Sequence, residues 1–212
     1  TSKPEKIVFP YGDDAQKVRT LSEKDFYSLG NLKDKSLFGM ERFTPGQNMS
    51  ITITEGELDA LSAYQMLGSK YPVVSVRSAS NALEDCKRAR DYLNSFDRIY
   101  LCLDNDPPGE KATKEIAALF DINKVYFVKL GAFKDANEML QADKGREFTG
   151  SWYASKKYMP KGIMSSWEEM GKVLEQKREV SKAEYPFPSL QEMTYGIRFK
   201  ELILITAQEK IG

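Results

Sequence analysis

Short apolar segments alternate with helix-like segments through the middle of this 212-residue sequence, and this alternation limits the folds that it can adopt. Apolar runs predict buried strands at residues 50–54, 73–76, 99–103 and 125–128. Segments with the apolar spacing of helices lie between them, at residues 57–67, 81–94 and 110–120. Short strands that alternate with helices favour a parallel sheet built from βαβ units. The sequence therefore predicts an α/β domain in which helices flank a short parallel sheet.

The composition excludes several kinds of active site. The chain has no histidine and only two cysteines, Cys86 and Cys102. Histidine-based zinc sites, Ser–His–Asp triads and zinc ribbons are therefore excluded, and we expect no zinc. The 31 basic and 31 acidic residues cancel, so net charge does not indicate a nucleic-acid partner. Any chemistry must come from carboxylates, lysines and bound metal.

Acidic residues follow two of the predicted strands, at the edge where open α/β sheets carry their active sites. Glu55 follows the strand at 50–54, and Asp104 and Asp106 follow the strand at 99–103. Residues two apart in an extended chain point the same way, about 6.5 Å apart, so both aspartates can serve one metal or flank two. For Asp-x-Asp alone, a polar turn with a helix cap is the better explanation, because short motifs are weak evidence. The matching glutamate on a second strand favours a site for Mg²⁺, or for Mn²⁺ in its place.

The segments around these acids resemble the Toprim domain of primases and topoisomerases. Thr54-Glu55-Gly56-Glu57 follows one strand, and Asp104-Asn105-Asp106-Pro107-Pro108-Gly109 follows a later one. Further segments resemble the fused primase–helicases of T7-like phages, relatives of the mitochondrial helicase Twinkle: Lys17-Val18-Arg19, Leu37-Phe38-Gly39, Tyr71-Pro72-Val73-Val74-Ser75 and Lys134-Asp135-Ala136-Asn137-Glu138. The resemblance covers nearly all of the chain and keeps the order of the motifs.

The resemblance implies a DNA primase, which synthesises short RNA primers on single-stranded DNA from ribonucleoside triphosphates. Glu55, Asp104 and Asp106 would be its catalytic metal ligands. Three further acidic residues resemble acids of the family: Glu57, Asp59 and Asp135. Asp59 would also be favoured simply as an acidic residue in the first turn of a helix, so this alternative remains open. Basic residues that hold the triphosphate and the template match Lys17, Arg19, Lys24 and Lys134, and an ordinary surface role remains open for Lys24.

The same resemblance divides the chain into four parts. Residues 1–48 would end a basic N-terminal primase subdomain, and residues 49–145 would form the Toprim catalytic domain. Residues 146–185 would be a linker with a subunit-docking helix, and residues 186–212 would begin a RecA-like helicase domain. The docking helix would use an apolar stripe as its anchors: Trp167, Met170 and Leu174.

The last part predicts a buried strand at Leu202–Thr206, followed by Ala207–Gly212, which resembles the start of an ATP-binding Walker A loop. The family implies NTP-driven DNA unwinding by the full protein, a hexameric or heptameric ring and a replisome DNA polymerase as partner. No apolar run reaches the length that spans a bilayer, so we expect no membrane partner. The resemblance to phage proteins implies that the protein acts in the host cytoplasm.

Two other functions remain open. A Toprim nuclease would use the same carboxylates to activate water instead of a ribonucleotide hydroxyl. A Twinkle-like assembly scaffold would keep the fold without catalysis. Such a scaffold is expected to lose its acidic ligands, yet Glu55, Asp104 and Asp106 are all present.

Overall fold

The structure is a computed structural model that describes residues 5–22, 25–35, 37–159, 170–171, 183–197, 202–204 and 206. Its contacts divide the chain into two compact units, Thr1–Lys161 and Gly162–Gly212. Within the described residues, no helix combines the length and the apolar character needed to cross a membrane.

The first unit opens with a three-stranded antiparallel sheet in the order β1-β2-β3. Its strands are β1 (Lys6–Tyr11), β2 (Ala15–Thr20) and β3 (Phe26–Leu29). One face buries Phe9 and Tyr11, and Phe38 packs against both rings. This region is thus an ordered small sheet. A Cβ at Gly30 would lie 2.0 Å from the Asp14 carbonyl oxygen, so only glycine permits this close approach.

The second sheet of this unit has five strands in the order β5-β4-β6-β7-β8. Four of them are parallel: β4 (Ser50–Thr54), β5 (Val73–Ser75), β6 (Arg98–Cys102) and β7 (Val125–Phe127). The short strand β8 (Lys156–Lys157) pairs antiparallel with β7 at the edge. Every residue of β4 is buried, because helices cover both faces of the sheet.

Six helices cover this sheet: α1 (Glu57–Met66), α2 (Ala82–Arg88), α3 (Arg90–Asn94), α4 (Pro107–Ala117), α5 (Ala136–Gln141) and α6 (Gly145–Tyr153). One hydrophobic cluster joins the sheet to α2, α3 and α4, and a second joins it to α1, α5 and α6. Three short 3₁₀ turns lie at Leu32–Asp34, Met40–Arg42 and Ala79–Asn81. The predicted α/β sheet with flanking helices is confirmed.

Two helix predictions need correction. The single helix predicted at residues 81–94 is two helices, α2 and α3, which meet at Ala89. The helix predicted at residues 110–120 begins three residues earlier, at Pro107. The Asp106 carboxylate accepts a hydrogen bond from the Gly109 N–H at 2.9 Å, and proline suits the first turn of a helix because its missing N–H is not needed there. The capping aspartate therefore sets where α4 starts.

Residues 146–157, predicted as linker, pack into the first unit. Trp152 of α6 is buried, and its ring stacks on Tyr100 of β6 with centroids 4.2 Å apart. Its indole N–H also donates to Thr52 Oγ1 at 2.9 Å. Helix α6 ends at Tyr153, because Lys156 and Lys157 pair with β7. The remaining division of the chain into domains stays a prediction.

The second unit contains α7 (Pro188–Thr194) and an isolated bridge between Ala183 and Ile197. The buried strand predicted at Leu202–Thr206 is not formed at the described residues, where Leu202 is 97% and Leu204 82% exposed. A strand needs a hydrogen-bonded neighbour, and no described residue pairs with this segment. Of the proposed docking anchors, Trp167 and Leu174 lie outside the described residues, whereas Met170 is helical.

Candidate active site

The carboxyl ends of β4 and β6 bring the predicted metal ligands together. These strands are parallel neighbours, and their register places Thr54 opposite Cys102. Glu55 therefore leaves the sheet beside the segment that carries Asp104 and Asp106. Burial raises the pKa of the Glu55 carboxyl, and the backbone N–H of Asp104 opposes this increase because it favours the charged form. The predicted proximity of the two acidic motifs is confirmed.

Glu55 and Asp104 lie where their negative charges are unfavourable. Burial raises the pKa of the Glu55 carboxyl, and the negative charge of Asp104 raises it further. Burial also raises the pKa of Asp104, an increase that Lys134 opposes. The Glu55 Oε2 atom is buried and has no hydrogen-bond partner among the described residues. Because a buried carboxylate oxygen needs a partner, this position suits a cation.

Lys134 already supplies one positive charge at this edge. Its ammonium lies 3.1 Å from Asp104 Oδ2 and 3.8 Å from Asp106 Oδ2. The Asn105 N–H donates to the Lys134 carbonyl oxygen at 2.7 Å, which holds the two loops together. The carboxylates raise the pKa of Lys134, Asp104 most strongly. The structure therefore brings the predicted phosphate-binding lysine to the predicted metal ligands.

Asp59 and Asp135 form a second acidic pair beside the first. Asp135 caps α5 by accepting from the Glu138 N–H at 2.7 Å, and Asp59 accepts from the Asn137 N–H at 3.0 Å. Burial and the charge of Asp135 raise the pKa of Asp59 to about 7. Asp59 also lies over Gly56, where a Cβ would come within 2.6 Å of its Oδ2. Two of the three predicted accessory acids, Asp59 and Asp135, thus lie at the same edge of the sheet.

The acidic side chains do not form a ready-made metal cage. Among the residues that the structure describes, no three of them converge closely enough to hold an ion on their own. The donor set nevertheless fits Mg²⁺, which takes few carboxylates and completes its shell with water and phosphate oxygens. The Oε2 atom of Glu55, which has no hydrogen-bond partner among the described residues, is one oxygen that such an ion can bind.

Glu57 lies in a different environment from the other acids. Its carboxylate accepts a hydrogen bond from the Tyr11 hydroxyl at 2.6 Å and pairs with the Lys17 ammonium at 2.8 Å. Lys17 also donates to the Arg77 carbonyl oxygen at 3.0 Å. Glu57 therefore joins α1 to the three-stranded sheet, and most of the hydrogen-bonding capacity of Lys17 is already used. No local sequence pattern predicts this pair.

Arg19 and Arg77 differ in how their guanidinium groups are used. The Arg19 Nε is buried without a hydrogen-bond partner in the described part of the chain, and its guanidinium carbon lies 5.4 Å from the Phe26 ring centroid. Arg77 instead pairs with the buried Asp85, Nε to Oδ1 at 2.9 Å, and donates to a carbonyl oxygen of the 3₁₀ turn at Leu32–Asp34. Lys24 lies outside the described residues.

Comparison with known proteins gives consistent matches. A family model described as Toprim-like matches residues 52–140. The DNA helicase/primase of Enterobacteria phage T3 is 30% identical over 202 residues, which cover 93% of this chain and 35% of the T3 protein. The primase fragment of the bacteriophage T7 primase-helicase has a TM-score of 0.64 and 34% identity, covering 69% of this chain and 62% of that one.

A further match is a structure of T7 lagging-strand DNA polymerase interacting with primase domains of two gp4 subunits, bound to an RNA/DNA hybrid and dTTP. It has a TM-score of 0.63 and 32% identity, covering 72% of this chain and 78% of that one.

The parallel sheet with its acidic carboxyl edge and the matching family model define a Toprim domain. The similarity to the T3 protein extends on both sides of this domain. The chain belongs to the family of T7-like bacteriophage primase–helicases. It spans 35% of the length of the T3 relative and 62% of the T7 primase fragment.

Proposed function

We propose that this chain is the DNA primase region of a primase–helicase and joins ribonucleotides into short RNA primers on single-stranded DNA. The observation that carries this proposal is the partnerless Oε2 of Glu55, buried beside Asp104 at the carboxyl ends of two neighbouring strands. The names of the T3 and T7 relatives, a helicase/primase and a primase-helicase, support the same reaction.

Glu55, Asp104 and Asp106 would hold Mg²⁺, or Mn²⁺ in its place. Once bound, the metal would lower the pKa of the attacking 3′-hydroxyl and stabilise the charge on the departing pyrophosphate. This chemistry needs no histidine base, which agrees with a chain that has none. Asp59 and Asp135 would act as positioning residues, because they hold the start of α5 against α1 at this edge.

Lys134 would contact the nucleotide. Its side chain is 57% exposed, so it can turn from Asp104 and Asp106 towards a triphosphate oxygen. Arg19 would contact phosphate as well, since guanidinium groups suit phosphate oxygens. Lys17 would stay with Glu57 and stabilise the surface that carries Arg19, and Lys24 keeps its proposed phosphate role from the family resemblance.

The full protein would use this region as part of a larger replication machine. The T7 structure that contains a DNA polymerase together with primase domains supports a polymerase partner. We also propose self-association into a hexameric or heptameric ring through the linker helix, NTP-driven DNA unwinding by the helicase region, and action in the host cytoplasm.

Primer synthesis tests the proposal directly. Extension of a dinucleotide on single-stranded DNA, with Mg²⁺ and labelled ribonucleotides, should fall at least about 100-fold in Asp104→Asn, because metal contacts contribute several kcal/mol to such reactions. Asp121→Asn is the matched control, because Asp121 is exposed and precedes β7 at the opposite edge of the sheet. Its extension rate should equal that of the wild type.

The other outcomes identify the alternative functions. Metal-dependent strand cleavage without synthesis would indicate a Toprim nuclease. Absence of both activities, together with absence of Mg²⁺ binding, would indicate an assembly scaffold. Either result would refute primase activity in this chain.

A further inference from the structure

We propose that Phe26 is a stacking platform for a nucleobase. Phe26 lies beside Arg19 on the face of the three-stranded sheet that is directed at the acidic edge, which is the site formed by acids at the carboxyl ends of β4 and β6. The ligand class is a base with its attached phosphate. This inference rests on the proposed primase function and names a contact for the nucleic acid or nucleotide that the acidic edge would act on.

Strand register places Phe26 on this face. Arg19 of β2 lies directly opposite Phe26 of β3, and Lys17 lies opposite Ser28. Because side chains alternate along a strand, Lys17, Arg19 and Phe26 point the same way. The Lys17 ammonium and the Arg19 guanidinium carbon lie 5.1 Å and 5.4 Å from the ring centroid of Phe26. The face thus combines an aromatic ring with two cations.

The contacts of Lys17 show which way this face points. Its ammonium pairs with Glu57 at the start of α1, two residues after Glu55, and donates to the Arg77 carbonyl oxygen beyond the carboxyl end of β5. The face that carries Phe26 is therefore the one directed at the carboxyl edge of the parallel sheet. A chain of nucleotides leaving that edge would meet Phe26.

Phe26 has free ring surface and a charge environment that suits a nucleotide. It is 47% exposed although two cations lie within 6 Å of its ring. Stacking of bases on aromatic side chains beside cations is the general mode by which proteins bind single strands, since every base offers a π-face and every phosphate a negative charge. The Arg19 guanidinium, which lies beside the ring, supplies a positive charge for that phosphate.

The neighbouring residue provides a matched control. Tyr27 is also exposed, at 39%, and also lies near a cation, with the Lys6 ammonium 5.5 Å from its ring centroid. Its register partner is Val18, so it points to the opposite face of the same sheet. Phe26 and Tyr27 therefore differ mainly in the face on which they lie.

The test compares binding of an oligothymidylate with binding of an abasic oligonucleotide of the same length, measured by fluorescence anisotropy. Wild type and Phe26→Trp should prefer the oligothymidylate about tenfold. Phe26→Leu should lose this preference without weakening the binding of the abasic strand, and Tyr27→Leu should keep it. Each variant should unfold at the wild-type temperature.

A second arm identifies the source of the base. If Phe26→Leu weakens binding of a ribonucleoside triphosphate and leaves the oligothymidylate unaffected, the stacked base belongs to the nucleotide. Equal loss in Phe26→Leu and Tyr27→Leu, or no loss of either ligand in Phe26→Leu, would overturn the proposal. The binding assay contains no metal, so its result is separate from the primer-synthesis test of Asp104→Asn.

Discussion

The two sheets of the first unit present their charged residues in different ways. In the five-stranded sheet, the acids follow the strands, and Glu55, Asp104 and Asp106 meet because β4 and β6 are parallel neighbours. In the three-stranded sheet, Lys17 and Arg19 lie within a strand and on one of its faces. Which residues meet at the ends of strands depends on the order of the strands in the sheet. Which residues meet on the face of a strand depends on register and packing.

The two sheets also differ in how much of their charge remains available to a ligand. Lys17 is paired with Glu57, and its ammonium makes a further bond to a carbonyl oxygen. Glu55 keeps an oxygen atom without a partner in the described chain. The three-stranded sheet therefore uses Lys17 to attach itself to α1. The carboxyl ends of β4 and β6 instead keep a negative charge that a ligand can neutralise.

Replacing Glu57 by alanine tests the attachment and should have the largest effect on stability. It would leave Lys17 and the buried Tyr11 hydroxyl without their partner, so the free energy of unfolding should fall by about 3–5 kcal/mol in urea titrations. Glu84→Ala removes an exposed ion pair with Arg88 and should cost less than about 1 kcal/mol. Weaker Mg²⁺ binding with unchanged stability in Glu57→Ala would instead assign Glu57 to the metal site.

The pH dependence of stability tests the unfavourable charge at the acidic edge. The pKa of Asp59 is raised from 3.8 to about 7 in the folded state, so the folded chain holds a proton that the unfolded chain has lost between these values. Stability should therefore fall as pH rises from about 4 to about 7. Asp59→Asn should be more stable than wild type at pH 8 by about 4 kcal/mol, and close to it at pH 4.

This comparison requires metal-free buffer, because a bound cation would favour the ionised acids. The exposed Asp97→Asn is the control and should show little difference from wild type at either pH. If the difference between Asp59→Asn and wild type stayed constant over the whole pH range, charge repulsion at this edge would be refuted.

Replacing Gly109 by alanine tests whether the position of Asp104 depends on the packing of α4. A Cβ at Gly109 would lie 2.1 Å from the Asp104 carbonyl oxygen, so Gly109→Ala must displace α4 or the Asp104 segment. Thermal unfolding should show a loss of about 2 kcal/mol, accompanied by slower primer synthesis. Gly150→Ala has open space around its Cβ and should gain about 0.5–1 kcal/mol. Unchanged stability in Gly109→Ala would contradict this close packing.

Replacing Lys134 should have the smallest and most selective effect, confined to the binding of Mg²⁺ and of the nucleotide. Lys134→Gln removes the cation beside Asp104 and Asp106, so Mg²⁺ should bind about threefold more tightly in calorimetry. Its KM for ribonucleoside triphosphates should rise, because a phosphate contact is lost. Lys129→Gln, which alters an exposed lysine nearby, should change neither. A weaker affinity for Mg²⁺ in Lys134→Gln would exclude competition between the lysine and the metal.

The sequence was sufficient to predict the parallel sheet and the proximity of Glu55 to Asp104, because both follow from strand order and from acids at strand ends. It was not sufficient for the Glu57–Lys17 pair or the Arg77–Asp85 pair. These contacts join residues 40 and 8 positions apart through packing that no local pattern records. The sequence does not predict the proposed platform at Phe26 for a similar reason, since only the β2–β3 register places that ring beside Arg19.

The stacked pair of Trp152 and Tyr100 gives this protein an internal optical reporter. The indole is buried and hydrogen-bonded to β4, and it lies against the strand that leads to Asp104. Its emission should therefore be that of a shielded indole and should shift to longer wavelength when the sheet opens. With only one other tryptophan in the chain, Trp167→Phe would leave a single tryptophan, which reports the integrity of the catalytic sheet without any added label when it is excited selectively.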